Sequence, residues 1–135
     1  MTESSEEKHH LLPSGEWEGF YLYPGNSHKH RMSMVLHFRQ GNMHGTGFDD
    51  IGAFVFSGNY NIGTLLAEWA KVYHTHKIAY SGHIDENGIW GHWQNEGNGG
   101  WGLRGGFHIW PVKKGNETAV EVAEEVDVEK LLLKS

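Results

Sequence analysis

The stretch from Met32 to Phe38, Met-Ser-Met-Val-Leu-His-Phe, alternates large apolar side chains with Ser, Val and His. Successive side chains of a β-strand point to opposite faces, so the two Met residues, the Leu and the Phe share one face. Two later stretches repeat this alternation: Phe54, Phe56, Gly58 and Tyr60, and then Ile78, Tyr80, Gly82 and Ile84. The pattern predicts strands that each turn one face toward a core.

Turn residues separate these stretches about every ten positions, which is the spacing of an all-β sandwich or barrel. We predict eight strands, at residues 16–23, 31–40, 43–49, 52–60, 64–73, 77–84, 89–95 and 101–111.

Glycine is abundant, with 19 residues in a chain of 135, and several glycines fall inside the predicted strands. Glycine weakens a flat strand but permits the bends and close approaches of a small closed barrel. We therefore favour an all-β fold, an eight-stranded antiparallel up-and-down β-barrel, over an open sheet.

The connections between strands fall into two sets. Three are short turns with Gly or Asn, as tight hairpins require, at residues 40–42, 61–63 and 85–88. Four others are residues 24–30, 49–51, 74–76 and 96–100. Alternate connections of an up-and-down barrel emerge at the same end, so these four are expected to share one rim.

The length suits a single domain. Residues 1–13 lack periodicity and are expected to form a flexible N-terminal tail, followed by the barrel at residues 14–113. In the C-terminal tail, residues 114–135, Thr118 and Glu121 have capping-box spacing, which favours a helix over about residues 119–133. The valines of this segment, Val120, Val122, Val126 and Val128, fit a strand as well.

Composition excludes several classes of function. The formal charge is −6 and no basic stripe is present, which argues against a nucleic-acid partner. The absence of cysteine excludes disulfides and thiolate metal sites. Residues 1–8 are acidic and polar, unlike a secretory signal, and no apolar run is long enough to span a membrane. A soluble, cytoplasmic protein without membrane association is expected.

Gly15-Glu16-Trp17 on the first strand, together with eight hairpin-linked strands, resembles the calycin superfamily of lipocalins, fatty-acid-binding proteins and avidins. The resemblance implies a barrel with an internal ligand. It also implies that Trp17 closes one end of the barrel and packs under a basic side chain, here Arg104 or Lys113. Gly58-Asn59-Tyr60 is similar to the avidin branch, whereas Glu18-Gly19-Phe20-Tyr21 departs from the polar cluster of biotin binders.

Two His-x-His pairs lie in loops assigned to the shared rim. In extended backbone, imidazoles two positions apart project to the same side and reach one ion. Histidines with a carboxylate would suit zinc or iron. The candidate metal ligands are His28, His30, His74, His76 and Asp49, although a chain with 11 histidines also places some in loops by chance.

Large apolar side chains of inward parity are candidates for lining a pocket, because aromatic rings bind apolar or planar ligands. These ligand-binding candidates are Met34, Phe56, Tyr80, Trp93 and Phe107. Glu68, Lys71 and Tyr73 could serve in acid–base chemistry, but their spacing does not pair them, and surface charge is the favoured interpretation.

Three functions follow from these patterns. The first is a barrel that holds an apolar or planar small molecule at its open end. The second is a metal-binding protein or metal-dependent enzyme that uses the rim histidines. The third is a protein-interaction module with a solid barrel. The first is favoured, and both enzymatic activity and assembly into a homo-oligomer are left open.

Overall fold

The computed structural model describes residues 9–95 and 102–112, and these residues form eight β-strands. The strands are β1 Gly15–Tyr21, β2 His30–Arg39, β3 Asn42–Asp49, β4 Ala53–Asn61, β5 Leu66–Tyr73, β6 Lys77–Asp85, β7 Gly88–Gln94 and β8 Arg104–Pro111. Each strand pairs antiparallel with the next, and β8 pairs with β1 to close a barrel in up-and-down order. The predicted fold is confirmed.

The alternation along β2 determines which side chains face inward. Met32, Met34, Leu36 and Phe38 are buried, and most of the intervening side chains are exposed. β4 and β6 have the same pattern, with the predicted large apolar side chains inside. Burial that alternates at every second residue is expected when one face of a strand packs on the core and the other faces solvent.

The two ends of the barrel differ. We call the end that carries the β1–β2, β3–β4, β5–β6 and β7–β8 connections the mouth, and the opposite end the turn end. Because the strands run antiparallel in sequence order, the strand ends that these four connections join lie together at the mouth. The turn end carries the short connections at residues 40–41, 62–65 and 86–87.

The turn end is closed by the chain that precedes β1. Leu12 is fully buried in the core. The indole Nε1 of Trp17 donates to the carbonyl oxygen of Pro13 at 2.7 Å, and its ring packs on Phe38 with centroids 5.4 Å apart. Residues 9–13 therefore belong to the barrel and not to a tail that extends to residue 13. Residues 1–8 lie outside the described part of the chain.

Of the two basic residues expected to pack on Trp17, Arg104 does not do so. Arg104 begins β8 at the mouth, opposite Gln94, whereas Trp17 pairs with Pro111 near the turn end. Arg104 is also exposed, so it does not cover Trp17. Lys113 and the predicted C-terminal helix lie outside the described residues.

Aromatic rings fill the barrel interior. Phe56 packs on Trp69, Trp69 stacks on Tyr80 at 5.4 Å, and Tyr80 meets Phe107 edge-on at 4.8 Å between centroids. All four side chains are almost fully buried. The middle of the barrel is therefore filled by side chains.

A smaller aromatic cluster lies outside the main core, on β1, β7 and β8. Its buried members are Phe20, Leu22, Trp90 and Trp110.

No helix long and apolar enough to cross a membrane occurs in residues 9–95 and 102–112.

Candidate functional site

A buried lysine on β5 lies at the centre of the mouth. Alternation along this strand turns Ala67, Trp69, Lys71 and Tyr73 inward, and Lys71 is only 1% exposed. The sequence favours surface charge as the interpretation of Lys71 and Tyr73, and the structure shows that this interpretation is wrong, because both side chains are buried. Glu68, which has the opposite parity, is exposed.

The ammonium of Lys71 is paired with a carboxylate from the end of β3. Its Nζ donates to Asp49 Oδ2 at 2.5 Å, and the side chains of both residues are almost completely buried. Nζ also lies 3.4 Å from the hydroxyl oxygen of Tyr80 and 3.6 Å from Met32 Sδ. A buried charge requires such a partner, because an unpaired one would be very costly.

Aromatic rings surround the same nitrogen. The distances from Nζ to the ring centroids are 4.5 Å for Phe54, 4.6 Å for Tyr21, 5.0 Å for Tyr73 and 5.7 Å for Tyr80. These contacts are within cation–π range. Burial nevertheless lowers the pKa of Lys71, and the hydrogen bond and charge of Asp49 offset this only in part.

Two tyrosines connect the lysine to the rim carboxylates. The hydroxyl of Tyr73 donates to Asp49 Oδ2 at 2.5 Å, and that of Tyr21 donates to Asp50 Oδ1 at 2.6 Å. Burial raises the pKa of both phenols, and hydrogen bonds to the carboxylates raise it further. Both tyrosines therefore remain protonated donors at neutral pH.

Rim imidazoles stack on these two phenols. His30 lies on Tyr21 at 4.9 Å between centroids, and its Nδ1 is 2.6 Å from Asp50 Oδ2. His76 lies on Tyr73 at 4.7 Å. The mouth thus holds two similar sets, each with a tyrosine, a stacked histidine and an aspartate bonded to the phenol.

A pocket of about 110 Å³ opens beside these groups. Its lining comes from eight tyrosine, tryptophan or aliphatic residues and from two residues, His76 and Asn95, that add polar character at its rim. The lining residues are Tyr21, Tyr23, Ile51, Tyr73, His76, Ile78, Tyr80, Trp93, Asn95 and Leu103. Two of the predicted ligand-binding residues, Tyr80 and Trp93, line it. Met34, Phe56 and Phe107 lie deeper, in the packed core.

The predicted metal ligands share the mouth but not one centre. Asp49 is bonded to Lys71 and Tyr73, and His30 is bonded to Asp50. His28 packs edge-on against His30, and His74 is exposed. Within the described ranges, no group of three His, Cys, Asp or Glu side chains is placed to hold a metal ion.

Comparison of this chain with family models, with curated proteins and with solved structures found no match.

Proposed function

We propose that the protein binds a small, planar and largely apolar molecule in the pocket at its mouth. The observation that carries this proposal is the aromatic lining of the pocket, to which Tyr21, Tyr23, Tyr80 and Trp93 contribute. Rings of this kind present flat apolar surfaces and a few polar atoms, as small-molecule sites commonly do. The calycin resemblance also supports a bound small molecule, since it implies a ligand inside the barrel.

The size of the pocket limits the ligand. An apolar cavity of about 150 Å³ is known to hold one benzene molecule. At about 110 Å³, with an opening to solvent, this pocket suits a ligand or ligand fragment with a single ring. The filled interior leaves no space for a long acyl chain running down the barrel axis.

Polar groups at the pocket rim would orient such a ligand. His76 and Asn95 lie on the rim, and the hydroxyl of Tyr80 lies at its inner end near Lys71. A ring that carries one oxygen substituent could place its apolar body against Trp93 and its oxygen toward Tyr80.

Nuclear magnetic resonance tests the proposal directly. We expect benzyl alcohol to shift backbone amide signals around Tyr23, Ile51, Trp93 and Leu103 in the isotopically labelled protein. Native mass spectrometry of freshly purified protein would reveal any molecule retained from the cell.

A pair of variants controls for non-specific binding. Leu103→Ala removes an exposed apolar side chain at the mouth and should weaken binding, whereas Ile62→Ala removes one at the turn end and should not. Signals that move equally at both ends, or no movement with any single-ring compound, would contradict the proposal.

A further inference from the structure

The amine of Lys71 lies directly behind the wall of the mouth pocket. Tyr21, Tyr73 and Tyr80 each line the pocket, and each ring also contacts Nζ. One layer of phenol rings therefore separates a bound ligand from a primary amine. Contact between the ligand and the amine requires one of these rings to rotate aside.

Asp49 is positioned to accept a proton from this amine. Its Oδ2 is 2.5 Å from Nζ, and its side chain is fully buried. Transfer along this hydrogen bond gives a neutral amine and a carboxylic acid without either group leaving the site. The lowered pKa of Lys71 favours the same neutral form. Desolvated lysines of this kind are nucleophiles toward carbonyl compounds.

Tyr80 supplies a hydrogen-bond donor at the same point. Its hydroxyl oxygen accepts from Lys71 Nζ at 3.4 Å, and in the described part of the chain its hydroxyl proton has no acceptor. A carbonyl oxygen placed beside Nζ would accept this proton. The site therefore combines an amine, a proton acceptor and a donor for the carbonyl oxygen.

We propose that Lys71 forms an imine with a small aldehyde held in the mouth pocket, an inference that rests on the proposed function. The Nζ lone pair attacks the carbonyl carbon, forming a C–N bond, and a proton passes from nitrogen to the former carbonyl oxygen. The carboxylic acid of Asp49 then protonates the resulting hydroxyl, which leaves as water as the C=N bond forms.

The net reaction preserves the charges of the site. A lysine ammonium paired with the Asp49 carboxylate, plus one aldehyde, gives a protonated imine paired with the same carboxylate, plus one water. No oxidant or reductant is consumed. Asp49 therefore serves as counter-ion before and after the reaction.

Reductive trapping tests the inference in the full chain. The protein is incubated at neutral pH with benzaldehyde and sodium cyanoborohydride, digested, and mapped by mass spectrometry for benzyl groups on lysine. A lowered pKa leaves more of the amine unprotonated at neutral pH, so Lys71 should be labelled faster than the exposed Lys77.

Matched variants assign the label. Lys71→Arg retains a positive charge opposite Asp49 but cannot form an imine, so the preferred label should vanish. Lys77→Arg should leave labelling of Lys71 unchanged. Asp49→Asn and Tyr80→Phe should each slow the labelling of Lys71, and circular dichroism confirms that each variant is folded.

Benzyl alcohol separates failure of this inference from failure of the proposed function. If the alcohol binds at the mouth but Lys71 is labelled no faster than Lys77, imine formation is overturned and ligand binding stands. If the alcohol does not bind and Lys71 is not preferentially labelled, both are overturned.

Discussion

Lys71 and Asp49 form an ion pair inside a core that is otherwise mainly apolar. Removing one partner leaves the other charge buried, which typically costs about 3–5 kcal/mol. We expect Lys71→Met to lower the free energy of unfolding by that amount.

The double variant Lys71→Met with Asp49→Leu should recover much of this loss, because it removes both charges. Urea denaturation of the single and double variants measures the difference. A single variant that is no less stable than the double one would mean that the pair is more solvated than its burial indicates.

The hydrogen bond between Tyr21 and Asp50 should make stability depend on pH. Burial disfavours ionisation of Asp50, but hydrogen bonds from Tyr21 and His30 outweigh this and lower its pKa. A carboxyl whose pKa is lower in the folded state stabilises the fold above its unfolded pKa of about 3.9, and this contribution is lost as the pH falls through the folded pKa.

Tyr21→Phe removes one of these hydrogen bonds and should cost about 1 kcal/mol at neutral pH. The difference in free energy of unfolding between the Tyr21→Phe variant and the unchanged chain should shrink below about pH 4. Tyr23→Phe is the matched control, because Tyr23 packs on the ring of Tyr21 but its hydroxyl is not bonded to Asp50. Unfolding curves recorded across this pH range would contradict the assignment if the Tyr21 effect were constant.

Lys71 shows what sequence patterns reveal about single residues. Its parity with Trp69 and Tyr73 on β5 was visible in the sequence and placed it on the inner face. The general preference of lysine for solvent pointed the other way. The deciding partner, Asp49, comes from β3, and no local pattern predicts which inward lysine meets which carboxylate.

Among the strands, the glycines of β3 mark close contact with their neighbours. A Cβ built on Gly45 would overlap the carbonyl oxygen of Val35 on β2 and lie 2.8 Å from Leu36 Cδ2. Gly45→Ala should therefore cost about 1–3 kcal/mol or more by overpacking.

Thr46→Ala, at the exposed neighbouring position, is the control for Gly45→Ala and should change stability by less than about 0.5 kcal/mol. Thermal unfolding of the two variants tests this contrast. If Gly45→Ala lowered stability no more than Thr46→Ala, β2 and β3 could move apart at that point without a loss of stability.

The sequence pattern predicts strands well where one face of the strand is exposed to solvent. It is less informative where side chains pack on both faces. β2, β4 and β6 alternate cleanly between buried and exposed side chains. In β8 a run of six residues is buried, because the outer cluster that contains Phe20 and Trp110 covers its other face. Periodicity alone does not reveal a second cover of this kind.

For the molecule as a whole, closure of the turn end and binding at the mouth should be separable. Leu12→Ala removes a fully buried side chain and should lower stability by about 2–5 kcal/mol. Ligand-induced shifts at the mouth should persist while the variant remains folded. Leu11→Ala, at a partly buried position, should cost less. Loss of ligand binding in folded Leu12→Ala protein would contradict this independence.

Closure of the barrel also brings the beginning and the end of the described sheet together. The amide of Val112 donates to the carbonyl oxygen of Glu16 at 2.9 Å, beside the point where β1 begins. A linker could therefore join Val112 to the residues that precede β1 and close the turn end, in a circularly permuted chain. New termini would fit the exposed turn at Ile62, Gly63 and Thr64, far from the mouth. The order in which the strands are synthesised should matter little to the finished barrel.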